Sequence, residues 1–285
     1  MRTLMSVTKQ RIIEVFPGFF YAQASEIGRI RFVFYRINQL LQILFSGKFR
    51  SSDAILKSTL KRYEKTDQLD FYESFATHGL LSFEMLALHE ILNQSNPPSS
   101  ALVVGCGAGR EVFALEKAGL KTTGVDNSGQ FIQRALRIKN DHSSSADFFS
   151  GELNTFVPKD AQFDLVWITY GLLNHIAGVK NRLAFLDSIK QRLGERGSIF
   201  VASGILSPKD TSRKLKLSSI FLKLIWLGKK MWQPGDILRS NLGPFSISPY
   251  LIYYHYYPDH FSAEAEFETA GLKWVNHGEF WILKK

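Results

Sequence analysis

The chain has 285 residues, 45% hydrophobic and 21% charged, with 35 Lys+Arg against 26 Asp+Glu and a single cysteine. That length allows one large or two small domains with a sizeable core, and the composition excludes disordered, collagen-like and disulfide-scaffold classes. The net charge of +9 is uneven: residues 1–65 carry 12 basic and 4 acidic side chains, residues 206–230 carry 7 and 1, and the remainder is mildly acidic.

The opening MRTLMSVTKQRIIEVF lacks the continuous apolar core of a secretory leader. Arg36 and Lys223 interrupt the two longest apolar candidates, so a membrane-spanning helix is not expected. The expectation is a soluble, cytoplasmic protein, with association at a membrane surface as the alternative. In residues 25–46, Ile27, Ile30, Phe34, Ile37, Leu41 and Leu44 share one helical face, with Arg29 and Arg36 away from it. Residues 52–94 read as mostly helical and end at the NPPSS linker, 96–100.

From Ala101 short apolar runs alternate with helical stretches. ALVVG (101–105) reads as a buried strand ending in a glycine cluster, and the apolar spacing from Glu111 to Gly119 as a helix. KTTGVD (121–126) is a second strand, followed by a helix over 128–139 opened by Ser128 as N-cap. Strands three and four are ADFFS (146–150) and FDLVWIT (163–169). Residues 178–193 form a helix that Gly194 ends, and GSIFVASG (197–204) is strand five. A last helix, 261–272, precedes two apolar runs around a His277-Gly278 turn, an antiparallel hairpin. This alternation predicts an α/β fold: a doubly wound, mostly parallel seven-stranded sheet with an antiparallel C-terminal hairpin. Residues 1–95 read as a helical N-terminal extension, and 96–285 as the sheet domain with an irregular insertion at 205–260.

Gly105, Gly107 and Gly109 stand as G-C-G-A-G between strand one and helix one. Glycine there lets the backbone turn tightly and present N–H groups to a ligand. Asp126 follows Gly105 by 21 residues at the end of strand two, where a carboxylate can accept from both hydroxyls of a ribose. A dinucleotide-binding loop would place its third glycine at position 110, which is Arg110.

These features, with VVGCGAGRE (103–111), TGVDNS (123–128), FFSGELNTF (148–156), FDLVWITYGLLNHI (163–176), RLGERGSIFVASG (192–204) and FSAEAEFETAGLKWV (261–275), resemble the class I S-adenosylmethionine-dependent methyltransferases. The resemblance runs from about Phe71 to the C-terminus. It implies S-adenosyl-L-methionine as cofactor, with Gly105, Cys106, Gly107 and Gly109 along its methionine and ribose, and Asp126 on the ribose hydroxyls. Asn127 would flank the adenine, Glu152 and the Leu153 N–H would face its ring, and Tyr170 and Gly171 would border the sulfonium. One departure is Val103, where the family commonly has an acidic residue; Glu111 is the candidate substitute.

His175 and His255 are the candidate catalytic histidines; each also fits a packed ring bonded to backbone. No metal set is read. Tyr253, Tyr254, Tyr256 and Tyr257 would line an aromatic pocket, half of them turned into the core by strand alternation. No Asn/Asp-Pro-Pro-Tyr/Phe follows strand four, where Ile168-Thr169-Tyr170-Gly171 stands, which argues against methylation of nucleic-acid amino groups. The leading function is methyl transfer to a small-molecule or lipid-like acceptor. A second reading is an RNA substrate held by Arg29, Arg31, Arg36, Lys214 and Lys216. A third is a non-catalytic fold docking on anionic membrane through 213–232, with Ile220, Leu222, Leu224 and Trp226 among lysines.

Overall fold

The computed structural model describes residues 51–157, 161–205, 233, 235–239 and 252–285. The helical reading of 25–46, with Arg29, Arg31 and Arg36, and the basic segment 206–232, with Lys214 and Lys216, lie outside the described residues.

Three helices precede the sheet: α1 (Ser52–Tyr63), α2 (Thr66–Phe75) and α3 (Ser82–Leu92). Ser51 caps α1 by accepting from the Ala54 N–H at 3.2 Å. The core strands are β1 (Ser100–Val104), β2 (Lys121–Asp126), β3 (Asp147–Ser150), β4 (Phe163–Ile168) and β5 (Leu193–Val201). Between them run α4 (Arg110–Lys117), α5 (Gly129–Asp141), the short α6 (Leu153–Phe156) and α7 (Val179–Arg192). Ser128 caps α5 as its position suggests, accepting from Phe131 N–H. A two-stranded ladder, β6 (Asp236–Arg239) with β7 (Ile252–His255), lies in the segment after β5. Then come α8 (His260–Thr269), β8 (Lys273–Asn276) and β9 (Trp281–Lys284).

The seven-stranded sheet has the order β3-β2-β1-β4-β5-β9-β8. β1 to β5 pair in parallel, and β9 runs antiparallel to β5 and β8. The chain leaves β1 in one direction for β2 and β3 and in the other for β4 and β5. Ligand clefts of open α/β sheets form at such a reversal, outside the carboxyl ends of the strands.

Side-chain alternation divides the core. Leu102, Val104, Val166, Ile168, Ile199 and Val201 face α7 and α8, packing with Leu186, Ile189 and Phe267. Ala101, Val103, Leu165, Trp167, Phe200 and Ile282 face the other way, against Phe83, Ala87, Val112, Leu115 and Ile132. Both faces are covered, which is why the strands read as near-continuous apolar runs. Strand five begins earlier than its sequence suggests: Leu193 pairs with Phe163, and the register shifts between Phe163 and Leu165 before the regular ladder resumes at Ser198. The helix thus stops at Arg192, one residue before Leu193 takes extended backbone, rather than at Gly194. Among the described residues, no helix is long and apolar enough to cross a membrane.

Candidate functional site

The loop after β1 turns back on β2. Gly105 and Cys106 donate their N–H groups to the Val125 carbonyl at 2.8 and 3.1 Å, and Gly109 donates to the Cys106 carbonyl at 2.9 Å. All three loop glycines have positive φ, +75°, +52° and +99°. They differ in what a side chain would meet. A Cβ on Gly105 would lie 2.9 Å from Leu172 and Thr169, and one on Gly109 2.6 Å from the Phe113 ring, whereas at Gly107 it would project into open space. Gly107 therefore forms a cradle beside the strand ends that any side chain would fill.

Asp126 sits across from that cradle. Its Oδ2 accepts from Gly107 N–H at 2.9 Å and its Oδ1 from Ser128 N–H at 2.8 Å. Burial pushes its carboxyl up, against the lowering pull of the Ser128 and Gly107 N–H groups. A carboxylate offers about four lone-pair directions, so each oxygen keeps one for a ligand hydroxyl. The cradle and this half-used carboxylate fit the ribose and methionine portions of S-adenosylmethionine. At the end of β3, Gly151 N–H donates to the Asp126 carbonyl at 2.8 Å, which brings the start of α6 alongside; Leu153 is buried there, while Glu152 and Asn127 are exposed.

Cys106 is a buried packing residue: burial, with Asp126 and Glu111 nearby, pushes its thiol well up. Val103 is fully buried in β1. Glu111 accepts from Arg110 at 2.5 Å, and Arg110 also forks onto Glu84 at 2.7 and 2.9 Å and reaches the Gly79 carbonyl at 3.0 Å. The arginine in place of a third glycine thus ties the start of α4 to α3, and Glu111 is engaged in that tie.

The turn after β4 carries Tyr170, 48% exposed and edge-on to Phe83, and Gly171, whose N–H donates to the Ala202 carbonyl at 3.2 Å. One 3-10 turn later stands His175. Its Nδ1 lies 2.8 Å from the Tyr253 carbonyl and its Nε2 2.9 Å from the Tyr63 hydroxyl. A carbonyl only accepts, so Nδ1 carries the ring proton and the Nε2 lone pair accepts from Tyr63. Tyr254 meets the same ring edge-on at 5.1 Å.

His255 is placed differently. Alternation along β7 and the residues after it turns Tyr253, His255 and Tyr257 inward, all at most 3% exposed, while Tyr254 and Tyr256 stay partly exposed and pack together at 4.5 Å. His255 Nδ1 pairs with Asp236 Oδ1 at 2.7 Å, and the Tyr253 hydroxyl donates to the same oxygen at 2.6 Å. Asn174, also fully buried, donates to the His255 and Gly204 carbonyls at 2.5 and 3.3 Å and accepts from Gly204 N–H at 2.9 Å. The two histidines are therefore not brought together: His175 is at the strand ends, and His255 in a buried polar cluster behind them.

Sequence reading missed what α1 contributes. Tyr63 reaches His175, and the next residue, Glu64, accepts from the Ser128 hydroxyl at 2.9 Å beside Asp126. Neither carries a motif; a helix pattern interrupted at Tyr63-Glu64 is the only signal.

The reversal of strand order, the glycine loop and the carboxylate at the end of β2 define a Rossmann-like class I fold. Residues 101–197 match the family model described as a methyltransferase domain. The chain is similar in fold to a SAM-dependent methyltransferase from Methanosarcina mazei (TM-score 0.55, 15% identity, covering 72% of this chain and 96% of that one). It is likewise similar to the protein of a DhpI-SAM-HEP complex (TM-score 0.54, 17% identity, 82% and 98%). Among curated proteins, a polyamine aminopropyltransferase from Thermoplasma volcanium is 28% identical over 204 residues, 65% of this chain and 73% of that protein.

Proposed function

We propose that the chain transfers a methyl group from S-adenosylmethionine to a hydroxyl oxygen of a small molecule, with His175 as general base. The observation that carries this reading is the presence, beyond the ends of β2 and β4, of a ribose-ready carboxylate, Asp126, and a histidine, His175, whose Nε2 meets a hydroxyl, that of Tyr63. When bound, the cofactor supplies a methyl carbon on a sulfonium, which takes an electron pair from the acceptor oxygen while the carbon–sulfur pair returns to sulfur. Asp126 and the loop around Gly107 hold and orient it. The Tyr253 carbonyl fixes the tautomer of His175, so that Nε2 takes the hydroxyl proton as the oxygen reacts. Tyr254 and Tyr256 wall the same space. In this reading residues 1–95 form a cap over a domain spanning 96–285, and the insertion at 205–260 supplies the aromatic wall; alignment of the two reactants then provides most of the acceleration.

Calorimetry with S-adenosylhomocysteine tests the cofactor half: the unmodified protein is expected to bind, and Asp126→Ala to lose at least tenfold in affinity. No binding by the unmodified protein overturns the reading. Because a curated relative carries an aminopropyltransferase name, the product is identified by mass. A methylated acceptor supports the proposal, and an aminopropylated one refutes it.

A further inference from the structure

We infer that the Tyr63 side chain holds the place of the acceptor, and that the hydroxyl this site methylates is a phenol on a flat aromatic ring. The inference rests on the methyl-transfer reading above and names its substrate class. Three observations carry it. The Tyr63 hydroxyl meets His175 Nε2 at 2.9 Å, the ring nitrogen opposite the one that meets the Tyr253 carbonyl. Its ring lies edge-on to His175 at 5.5 Å and tilted against Tyr72 at 6.0 Å, so a phenol is already seated among aromatic faces and edges. The neighbouring Glu64 accepts from Ser128 at 2.9 Å, and Ser128 N–H in turn donates to Asp126, so the end of α1 rests on the ribose side and the histidine side at once.

Tyr63 cannot itself be the acceptor of repeated turnover; a substrate phenol must displace it from His175. Burial, with Tyr72 close by, holds the Tyr63 phenol in its protonated, donating form. The residue is thus an intrachain competitor for the acceptor position. Removing its hydroxyl weakens the competitor while leaving the ring and the helix in place.

The test is calorimetric titration without cofactor, using phenol as probe and cyclohexanol as a non-planar hydroxyl of similar size. Tyr63→Phe is expected to bind phenol about fivefold tighter than the unmodified protein, the shift that follows from losing one intrachain hydrogen bond. Cyclohexanol should show no such gain, and adding His175→Ala should abolish the gain for phenol. A Tyr63→Phe affinity equal to or weaker than that of the unmodified protein overturns the inference, as does an equal gain with cyclohexanol. Tyr63→Leu provides a second variant that empties the ring position. Since the titration contains no cofactor, failure of S-adenosylhomocysteine to bind, which overturns the methyl-transfer reading, is a separate result.

Discussion

Gly105 and Gly107 are two residues apart and both left-handed, yet they fail differently when given a side chain. Alanine at Gly107 meets no atom within 4 Å, so it carries only the left-handed penalty, about 1–2 kcal/mol, while its methyl enters the open space that the proposed function gives to the cofactor. Alanine at Gly105 collides with Leu172 and Thr169 as well. The expected outcome is a folded Gly107→Ala protein with strongly weakened S-adenosylhomocysteine binding, and a Gly105→Ala protein with the larger loss of stability. Urea denaturation and calorimetry on both variants check this; equal stability losses would refute the distinction. At this scale the sequence was legible where the chemistry is local. The glycine spacing and Asp126 belong to adjacent strand ends, so their relation survives in a short window. The partner of His175 does not, because Tyr63 lies 112 residues away and nothing near either residue marks the pair.

Among elements, the tie between α7 and α8 is ionic and buried. Arg182, fully buried, donates from Nε and a terminal nitrogen to Glu266 at 2.8 and 2.6 Å, and Tyr257 donates its hydroxyl to the same carboxylate at 2.9 Å. Removing one partner leaves the other charged and desolvated, which costs about 3–5 kcal/mol, whereas replacing both with apolar groups is often close to neutral. Arg182→Met should therefore lose most of that amount in urea denaturation, and Arg182→Met/Glu266→Leu should recover much of it. A double variant as unstable as the single one would refute the account. At the opposite end of the sheet, Asp164 joins the start of β4 to β1 by accepting from the N–H and hydroxyl groups of Ser99 and Ser100, at 2.7–3.1 Å. The Ser99 hydroxyl, ahead of the opposing effect of burial, helps hold its carboxyl below the usual range. A lowered folded-state value contributes stability above the unfolded carboxylate pKa, near 3.9, and loses it as pH falls through the folded one. Asp164 is exposed, so solvent screening keeps the effect small. Asp164→Asn should lower the urea midpoint at pH 7, and the difference from the unmodified protein should shrink as pH falls below the ordinary carboxylate range; a difference that stays constant with falling pH would refute this. Helix and strand order was legible because each element keeps one periodicity. The early start of β5 was not, since Leu193 is drawn into extended backbone by pairing with Phe163, a partner the local pattern does not contain.

Among the described residues, the apolar clusters on and beside the sheet are unequal in size. Two large apolar clusters fill the two faces of the sheet, joining strands to α3, α4, α5, α7 and α8. A much smaller cluster, Leu69, Ala76, Ala108, Phe131 and Ile138, seats α2 on the glycine loop and α5, with Tyr63 and Tyr72 packed against it. Each buried large apolar side chain is worth about 1.5–3 kcal/mol, and among the described residues α1 and α2 add few such side chains to these three clusters. Local opening draws on units with few buried apolar contacts, and an opening of α1 would separate Tyr63 from His175. Native-state hydrogen exchange should therefore show the amides of α1 and α2 exchanging through an opening at least ~2 kcal/mol less costly than that of β1, β2 and β4. Tyr63→Phe should lower the opening cost for α1 further without changing that of the strands. Protection of α1 equal to that of β4 would mean that the helices unfold only with the sheet, and the aromatic seat on His175 would then be a fixed part of the core.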